Sequence, residues 1–366
     1  MKILIVNPII RYMEGGAEIN DRSLAVALES MGHEVGLIGV RDDSRPSEVE
    51  VGRTFVPVTM PYDYDVSSNM RGVRGKFSRN AFFHRFVKQL VDQHRDTLDA
   101  CDVILCTGKP VLASVRDHLS NAKLAVSVRG RSRSWHHRWY RHADLVIYWG
   151  GCEADHPRRV LDQVPHVCVS PAVDQVHARS LNRSTSPDRC RLVFVGRLEP
   201  VKQVDLIIQA IDLLRQQGIP AELTVIGDGS MRQQLESLRD SLGLQTAVVF
   251  EGRMDKTDVA SILGRSDIMV MASRTENKPI AAMESVMVGT HVIAPRLGRL
   301  PEILKDPDHG TIYEPTDARS LAEAVANAWT GRHYERSWTS SLPPWPTWRD
   351  AAEDIMSALH PGAPGS

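Results

Sequence analysis

The chain has 366 residues, 42% of them apolar and 24% charged, and a formal net charge of −1. That length exceeds one ordinary hydrophobic core and suits two domains, while the near-neutral balance offers no global field to recruit nucleic acid. No run of 18 apolar residues occurs, which excludes an ordinary membrane-spanning helix.

The amino end, Met1-Lys2-Ile3-Leu4-Ile5-Val6-Asn7-Pro8, is apolar but short. It reads as a first strand over 2–7 and not as a secretion signal. A glycine-containing loop and a helical pattern over 19–31 follow, ended by Gly32-His33 before a strand over 34–40. Further strands are predicted at 103–106, 124–128, 145–149 and 167–170. A polar stretch from 173 to 191 is the linker candidate. The pattern then restarts, with strands over 192–195, 222–226, 248–251, 268–271 and 291–294. Between them lie helices over 204–216, 231–242, 256–264 and 279–288. Two more helices, 321–329 and 350–359, are separated by a Trp/Pro-rich turn from 337 to 348. Short strands alternating with helices imply parallel sheets covered on both faces. The expected fold class is α/β, with two Rossmann-like, doubly wound domains over 1–175 and 190–340 and a tail over 341–366. Their binding crevice is expected at the carboxyl ends of the strands, where the two domains would face each other.

Five cysteines, Cys101, Cys106, Cys152, Cys168 and Cys190, form an odd set without a CxxC pair. They read as buried free thiols in a reducing compartment. His136-His137 and His142 have no nearby Cys or carboxylate to complete a tetrahedral set, so no metal requirement is expected.

Four loops concentrate chemistry-bearing residues. Glu14-Gly15-Gly16-Ala17-Glu18 follows the first strand and opens a helix, where adjacent glycines permit close backbone approach and the helix start favours an anion. A tight turn explains the pair equally well. In Val195-Gly196-Arg197-Leu198-Glu199-Pro200-Val201-Lys202 a strand ends in glycine and two cations follow. Arg197 has the fork to grip phosphate oxygens and Lys202 is a mobile point charge, although an exposed basic loop reads the same way. Val225-Ile226-Gly227-Asp228-Gly229 forms a compact turn with backbone amides to offer a nucleotide, and Asp228 is alternatively a cap for the next helix. Finally, Glu276 and Glu284 lie eight positions apart beside the apolar run 268–271. Either their oxygens meet hydroxyls at the mouth of a pocket, or one is solvated and the other is a helix-surface charge.

Taken together, these motifs resemble glycosyltransferase family 4, the retaining nucleotide-sugar glycosyltransferases of GT-B fold. The resemblance extends to Gly289-Thr290-His291-Val292-Ile293-Ala294, Leu300-Pro301-Glu302-Ile303 and a worn Ser170-Pro171-Ala172-Val173-Asp174. It covers most of the chain and is strongest over 193–302. It implies that Arg197 and Lys202 contact donor phosphates, that Glu284 holds the ribose and that Glu276 faces the donor sugar. It also implies that Gly15 and Gly16 approach the phosphate or acceptor side, that Arg253 with its neighbours borders the base, and that amides near Ile280 and Ala281 serve as donors. Asn277 and Pro279 stand where the commoner form of the motif has glycines. The final helix is expected to pack back on the amino-terminal domain. A nucleoside diphosphate sugar would be a co-substrate, with no permanently bound cofactor.

Growing charge on a departing diphosphate suits Arg197, Lys202 and oriented amides, and this view of retention needs no protein nucleophile. One departure from the family lies in the amino half. Where many relatives carry a histidine near the reacting sugar, this chain reads Thr107-Gly108-Lys109 and Val128-Arg129-Gly130-Arg131. A catalytically silent sugar-nucleotide-binding protein is therefore the alternative. The segment 129–142 holds five arginines with Trp135, His136 and Trp139 and no acid, and it reads as a solvated helical face or as the site of an anionic acceptor. Thr107, Arg129, Arg131, Trp135 and His136 are its acceptor-side candidates. The basic stretch 71–88 with Phe77, Phe82, Phe83 and Phe86 reads as a solvated helical face with aromatics turned inward, or as a peripheral membrane contact. The expected partners are a nucleoside diphosphate sugar and a small-molecule or lipid-linked acceptor. The expected setting is cytoplasmic or peripheral at the inner membrane face, and a monomer or homodimer is expected.

Overall fold

A computed structural model describes residues 1–8, 16–40, 54–59, 73–107, 110–128, 137–149, 164–169, 172, 188–276, 279–314, 316–335 and 345–360. The chain divides into two compact units, the first comprising 1–172 and 346–366 and the second comprising 173–345.

The first unit is built on a seven-stranded sheet in which β1 (Lys2–Val6), β2 (Glu34–Val40), β3 (Thr54–Val58), β4 (Val103–Thr107), β5 (Lys123–Val128), β6 (Leu145–Trp149) and β7 (His166–Val169) take the order β3-β2-β1-β4-β5-β6-β7. Every pairing is parallel. The order reverses between β1 and β4, which makes their carboxyl ends a topological switch point. Alternating side chains feed two cores. Leu4 and Val6 join Phe82, Phe83, Phe86 and Leu90 of helix α2 (Val73–Asp99) on one face. Ile3 and Ile5 meet Leu24, Ala25 and Leu28 of α1 (Gly16–Ser30) on the other. The short helix α3 (His137–Tyr140) adds the buried Tyr140 to the first of these cores.

The second unit has six parallel strands, β8 (Cys190–Val195), β9 (Ala221–Ile226), β10 (Val248–Gly252), β11 (Ile268–Val270), β12 (His291–Pro295) and β13 (Gly310–Tyr313), in the order β10-β9-β8-β11-β12-β13. Its helices are α4 (Val204–Gln216), α5 (Arg232–Ser241), α6 (Lys256–Arg265), α7 (Ile280–Met287), α8 (Leu300–Ile303) and α9 (Ala318–Thr330). Leu192, Phe194 and Val225 pack against α4 and α9, while Val193, Met269 and Val292 pack against α7. Next to Cys190, Arg191 forks onto the buried Asp267, with Nη2 to Oδ1 at 2.7 Å and Nε to Oδ2 at 3.1 Å. That pair ties β8 to the start of β11. The last helix, α10 (Trp348–Leu359), belongs to the first unit and buries Trp348, Ala351, Ala352 and Ile355 against the α1 face of its sheet.

Two strands have no counterpart among those predicted. β3 is an edge strand interrupted by Pro57, and β13 is an edge strand of four residues that begins with glycine. Both lack the apolar alternation that marks a strand in sequence. The basic stretch 71–88 lies largely in α2, with Phe82, Phe83 and Phe86 turned into the core, and the helix runs well beyond it, to Asp99. Cys101, Cys106 and Cys190 are buried free thiols, and burial pushes the Cys106 thiol up to about 12. Cys168 departs from the all-thiol expectation, because it is disulfide-bonded on the exposed side of β7. Spacing along the chain carried no sign of which cysteines the topology would bring together. The proposed linker falls almost wholly outside the described residues. Among the described residues no helix is long and apolar enough to cross a membrane.

Candidate functional site

The site candidates of the second unit gather where β8, β9 and β11 end. β8 runs out at Gly196, whose amide donates to the Ile226 carbonyl at 3.0 Å. Gly227 has φ +132°, and a Cβ built there would lie 1.9 Å from the Gly196 oxygen. A Cβ on Gly229 would lie 2.5 Å from the Leu198 oxygen. The two loops therefore touch backbone to backbone, a distance that only glycine permits. Leu198 fixes the arrangement: its side chain is fully buried, its amide donates to Asp228 O at 3.0 Å and its carbonyl accepts from Met231 N at 2.9 Å. Between these anchors Arg197 projects exposed, with no ionic partner among the described residues. Asp228 Oδ1 accepts from the adjacent Gly229 amide at 2.8 Å and does not cap α5, which begins at Arg232 without a side-chain cap.

Lys202 closes a short 3₁₀ turn, Pro200–Lys202, just before α4. Its Nζ donates to Glu276 Oε1 at 2.5 Å, and Ser273 Oγ donates to the same oxygen at 2.6 Å. Glu276 is largely withdrawn from solvent, with 8% of its side chain exposed against 22% for Lys202. A pair so placed is held more firmly than a surface ion pair, because its charges are partly desolvated and hydrogen-bonded. Glu276 Oε2 has no partner among the described residues. The loop carrying Glu276 is pinned at its start and at its middle. Tyr313 Oη donates to Met271 O at 3.0 Å, and Arg274 N donates to Val201 O at 2.8 Å.

Glu284 sits half-buried in α7, next to the buried Ser285, whose Oγ donates to Ala281 O at 2.7 Å. Pro279 is the N-cap of α7 and offers no side chain to its first turn. Its carbonyl takes the amides of Ala282 and Met283, which leaves those of Ile280 and Ala281 at the open start of the helix. Arg253 follows Gly252, whose carbonyl accepts the Gly227 amide at 2.6 Å, so it borders the glycine loop. Its side chain is exposed but engaged.

In the first unit Gly16 opens α1, whereas Gly15, Arg129, Arg131, Trp135 and His136 lie outside the described residues, as does Asn277 of the second unit. Thr107 ends β4 with its side chain buried. Its Oγ1 donates to Asp21 Oδ2 at 2.8 Å, and Asn7 Nδ2 donates to the same oxygen at 2.6 Å. The hydroxyl is thus committed inside the unit. Neither Asn7 nor Asp21 stood out in the sequence. The available signal was a carboxylate on the stripe of α1 that also carries Leu24, Ala25 and Leu28. Gln203, at φ 48°, belongs to no motif that sequence reading singles out, and Ser273 lies in the stretch leading to Glu276 without a role assigned from sequence.

Residues 181–341 match the family model for glycosyl transferases group 1. Over 202 residues the chain is 29% identical to a D-inositol 3-phosphate glycosyltransferase of Saccharomonospora viridis, covering 50% of this chain and 47% of that one. The chain spans about half, or less, of the length of the curated relatives it matches. Among solved structures it superposes on sucrose-phosphate synthase from Thermosynechococcus elongatus with a TM-score of 0.72 at 17% identity, covering 98% of this chain and 95% of that one. It superposes on the Anabaena protein HepE, solved with UDP and glucose, with a TM-score of 0.71 at 16% identity, covering 98% and 99%. Such a likeness establishes architecture: the chain has the GT-B fold, made of two Rossmann-like domains.

Proposed function

We propose that this chain is a retaining glycosyltransferase of family 4 that moves a sugar from a nucleoside diphosphate to a small-molecule or lipid-linked acceptor. The observation that carries the reading is the meeting of Lys202 and Glu276, 74 positions apart in sequence, in the unit whose exposed Arg197 has no ionic partner among the described residues. All three residues lie within the stretch that matches the group 1 model. A diphosphate brings anionic charge for Arg197 and a stronger anion for Lys202 than one carboxylate, and a sugar brings hydroxyls for a largely desolvated carboxylate. In this reading the arriving diphosphate takes over Lys202, and Glu276, still held by Ser273, turns its oxygens to the sugar. Glu284 accepts from ribose hydroxyls, Arg253 borders the base, and the open amides of Ile280 and Ala281 face the phosphates. Charge on the leaving diphosphate is stabilised by Arg197 and Lys202, and no protein nucleophile or metal ion is assigned a step.

For the acceptor, the arginines at 129 and 131 with Trp135 and His136, and the Gly15-Gly16 loop, favour an anionic molecule. A phosphorylated acceptor is named for the Saccharomonospora relative. A silent sugar-nucleotide-binding protein is the second reading, favoured by the absence of a histidine from 107–109 and 128–131 and by the commitment of Thr107 to Asp21.

A product assay crossing uridine and guanosine diphosphate sugars with phosphorylated polyol and lipid-linked acceptors separates the two. Donor binding without any transfer across that grid would leave only the second. In the same assay Lys202→Ala should lower kcat/KM about 100-fold, the scale of losing one charge-stabilising donor. Turnover and donor affinity near wild type would remove Lys202 from the phosphate site.

A further inference from the structure

Among the described residues only Gln203 and Arg332 combine a side chain with positive φ. Gln203 lies at φ 48° and ψ 47°, the left-handed region in which an L side chain costs free energy and glycine does not. It occupies the N-cap of α4, where a polar residue ordinarily bonds the first amides of its own helix, yet it makes no such bond. Its side-chain amide reaches the loop after β11 instead. With nitrogen toward Ala272 it donates to the Ala272 carbonyl at 3.1 Å, and its oxygen accepts from Arg274 Nε at 3.3 Å. Three consecutive residues thus grip one loop: Val201 O takes Arg274 N, Lys202 takes Glu276, and Gln203 takes Ala272 and Arg274.

We infer that Gln203 is a positioning residue, a latch that uses its left-handed backbone to hold the 272–276 loop so that Glu276 meets the donor sugar. This role rests on the transferase reading given above. Without the latch the Arg274 backbone bond and the Lys202–Glu276 pair remain. The loop then keeps its course, but once the donor diphosphate takes over Lys202 the carboxylate is held by Ser273 alone, on a loop no longer latched, and loses its fixed place. A misplacement of that size lowers the chemical step more than the binding of the donor.

Two variants separate the latch from the backbone strain. Gln203→Gly removes the amide and the strain, so its Tm should hold or rise by up to about 3 °C. Gln203→Ala removes the amide and keeps the strain, so its Tm should fall. Both should exchange the backbone amides of 273–276 at least about fivefold faster than wild type, measured by hydrogen–deuterium exchange on the ligand-free full chain. Both should also lose about tenfold in kcat, with the donor KM within about threefold. Wild-type exchange in both variants, or a kcat that follows Tm in place of the missing amide, overturns the latch. The exchange arm needs no turnover, so a wild-type chain that transfers no sugar would sink the transferase reading and leave the latch to be judged on exchange alone.

Discussion

Single residues decide how closely the loops of the second unit meet. Gly227 is constrained twice, by φ +132° and by a Gly196 oxygen 1.9 Å from where its Cβ would stand. Gly243 has φ +69°, but nothing lies within 4 Å of where a Cβ would stand there. Gly243→Ala should therefore cost only the backbone strain, about 1 kcal/mol, whereas Gly227→Ala should cost about 3 kcal/mol or more because backbone must move as well. Denaturant unfolding followed within the second unit measures both, and equal midpoints would refute the contact argument. Gly227 was legible in the sequence, since a glycine directly after an apolar strand announces close approach. Gln203 was not, because nothing in a glutamine tells of left-handed backbone. Asp21 stayed hidden for a related reason: its two donors, Asn7 and Thr107, arrive from strands that become neighbours only in the folded sheet.

At the scale of elements, legibility follows periodicity and length. The strands over Glu34–Val40 and Leu145–Trp149 and the helix Val204–Gln216 stand where the apolar pattern puts them, since each buries a continuous face. β3 and β13 owe their existence to the neighbour that pairs with them, so their own residues say little. The Trp/Pro-rich stretch before α10 masks a helix start that the structure makes plain. Thr347 Oγ1 accepts from Asp350 N, and the Asp350 carboxylate accepts from Thr347 N at 2.7 Å and from Thr347 Oγ1 at 2.7 Å. Those bonds hold the Asp350 carboxyl below the usual carboxylate range, the backbone bond foremost. A depressed folded pKa means stability that is present above the unfolded value near 4 and is lost as pH falls through the folded value. Thr347→Ala should thus cost about 1 kcal/mol at pH 7, with solvent screening keeping the electrostatic share small, and the difference from wild type should shrink in acid. Paired melts at pH 7 and pH 3 test this, and a gap that widens in acid would contradict the sign.

Over the whole molecule the chain leaves its first unit at Ala172, builds the second and returns at Pro346. The final helix is therefore close in sequence to α9 of the second unit but structurally part of the first. Its Trp348 ring lies 5.5 Å from that of Trp149, and Ile355 is 2% exposed in the core that includes Ile3, Ile5 and Val169. Ile355→Ala removes most of a buried side chain from that core, and its cost should be about 2–4 kcal/mol depending on how far the site collapses. Each unit has its own hydrophobic clusters, so the loss should register as a separate unfolding event and not as a uniform softening. Hydrogen–deuterium exchange should show protection falling across β1, β6 and β7 while β8 to β12 keep theirs. An equal fall in both sheets would mean that the two units unfold as one cooperative body, and that the return of the chain at Pro346 couples them energetically.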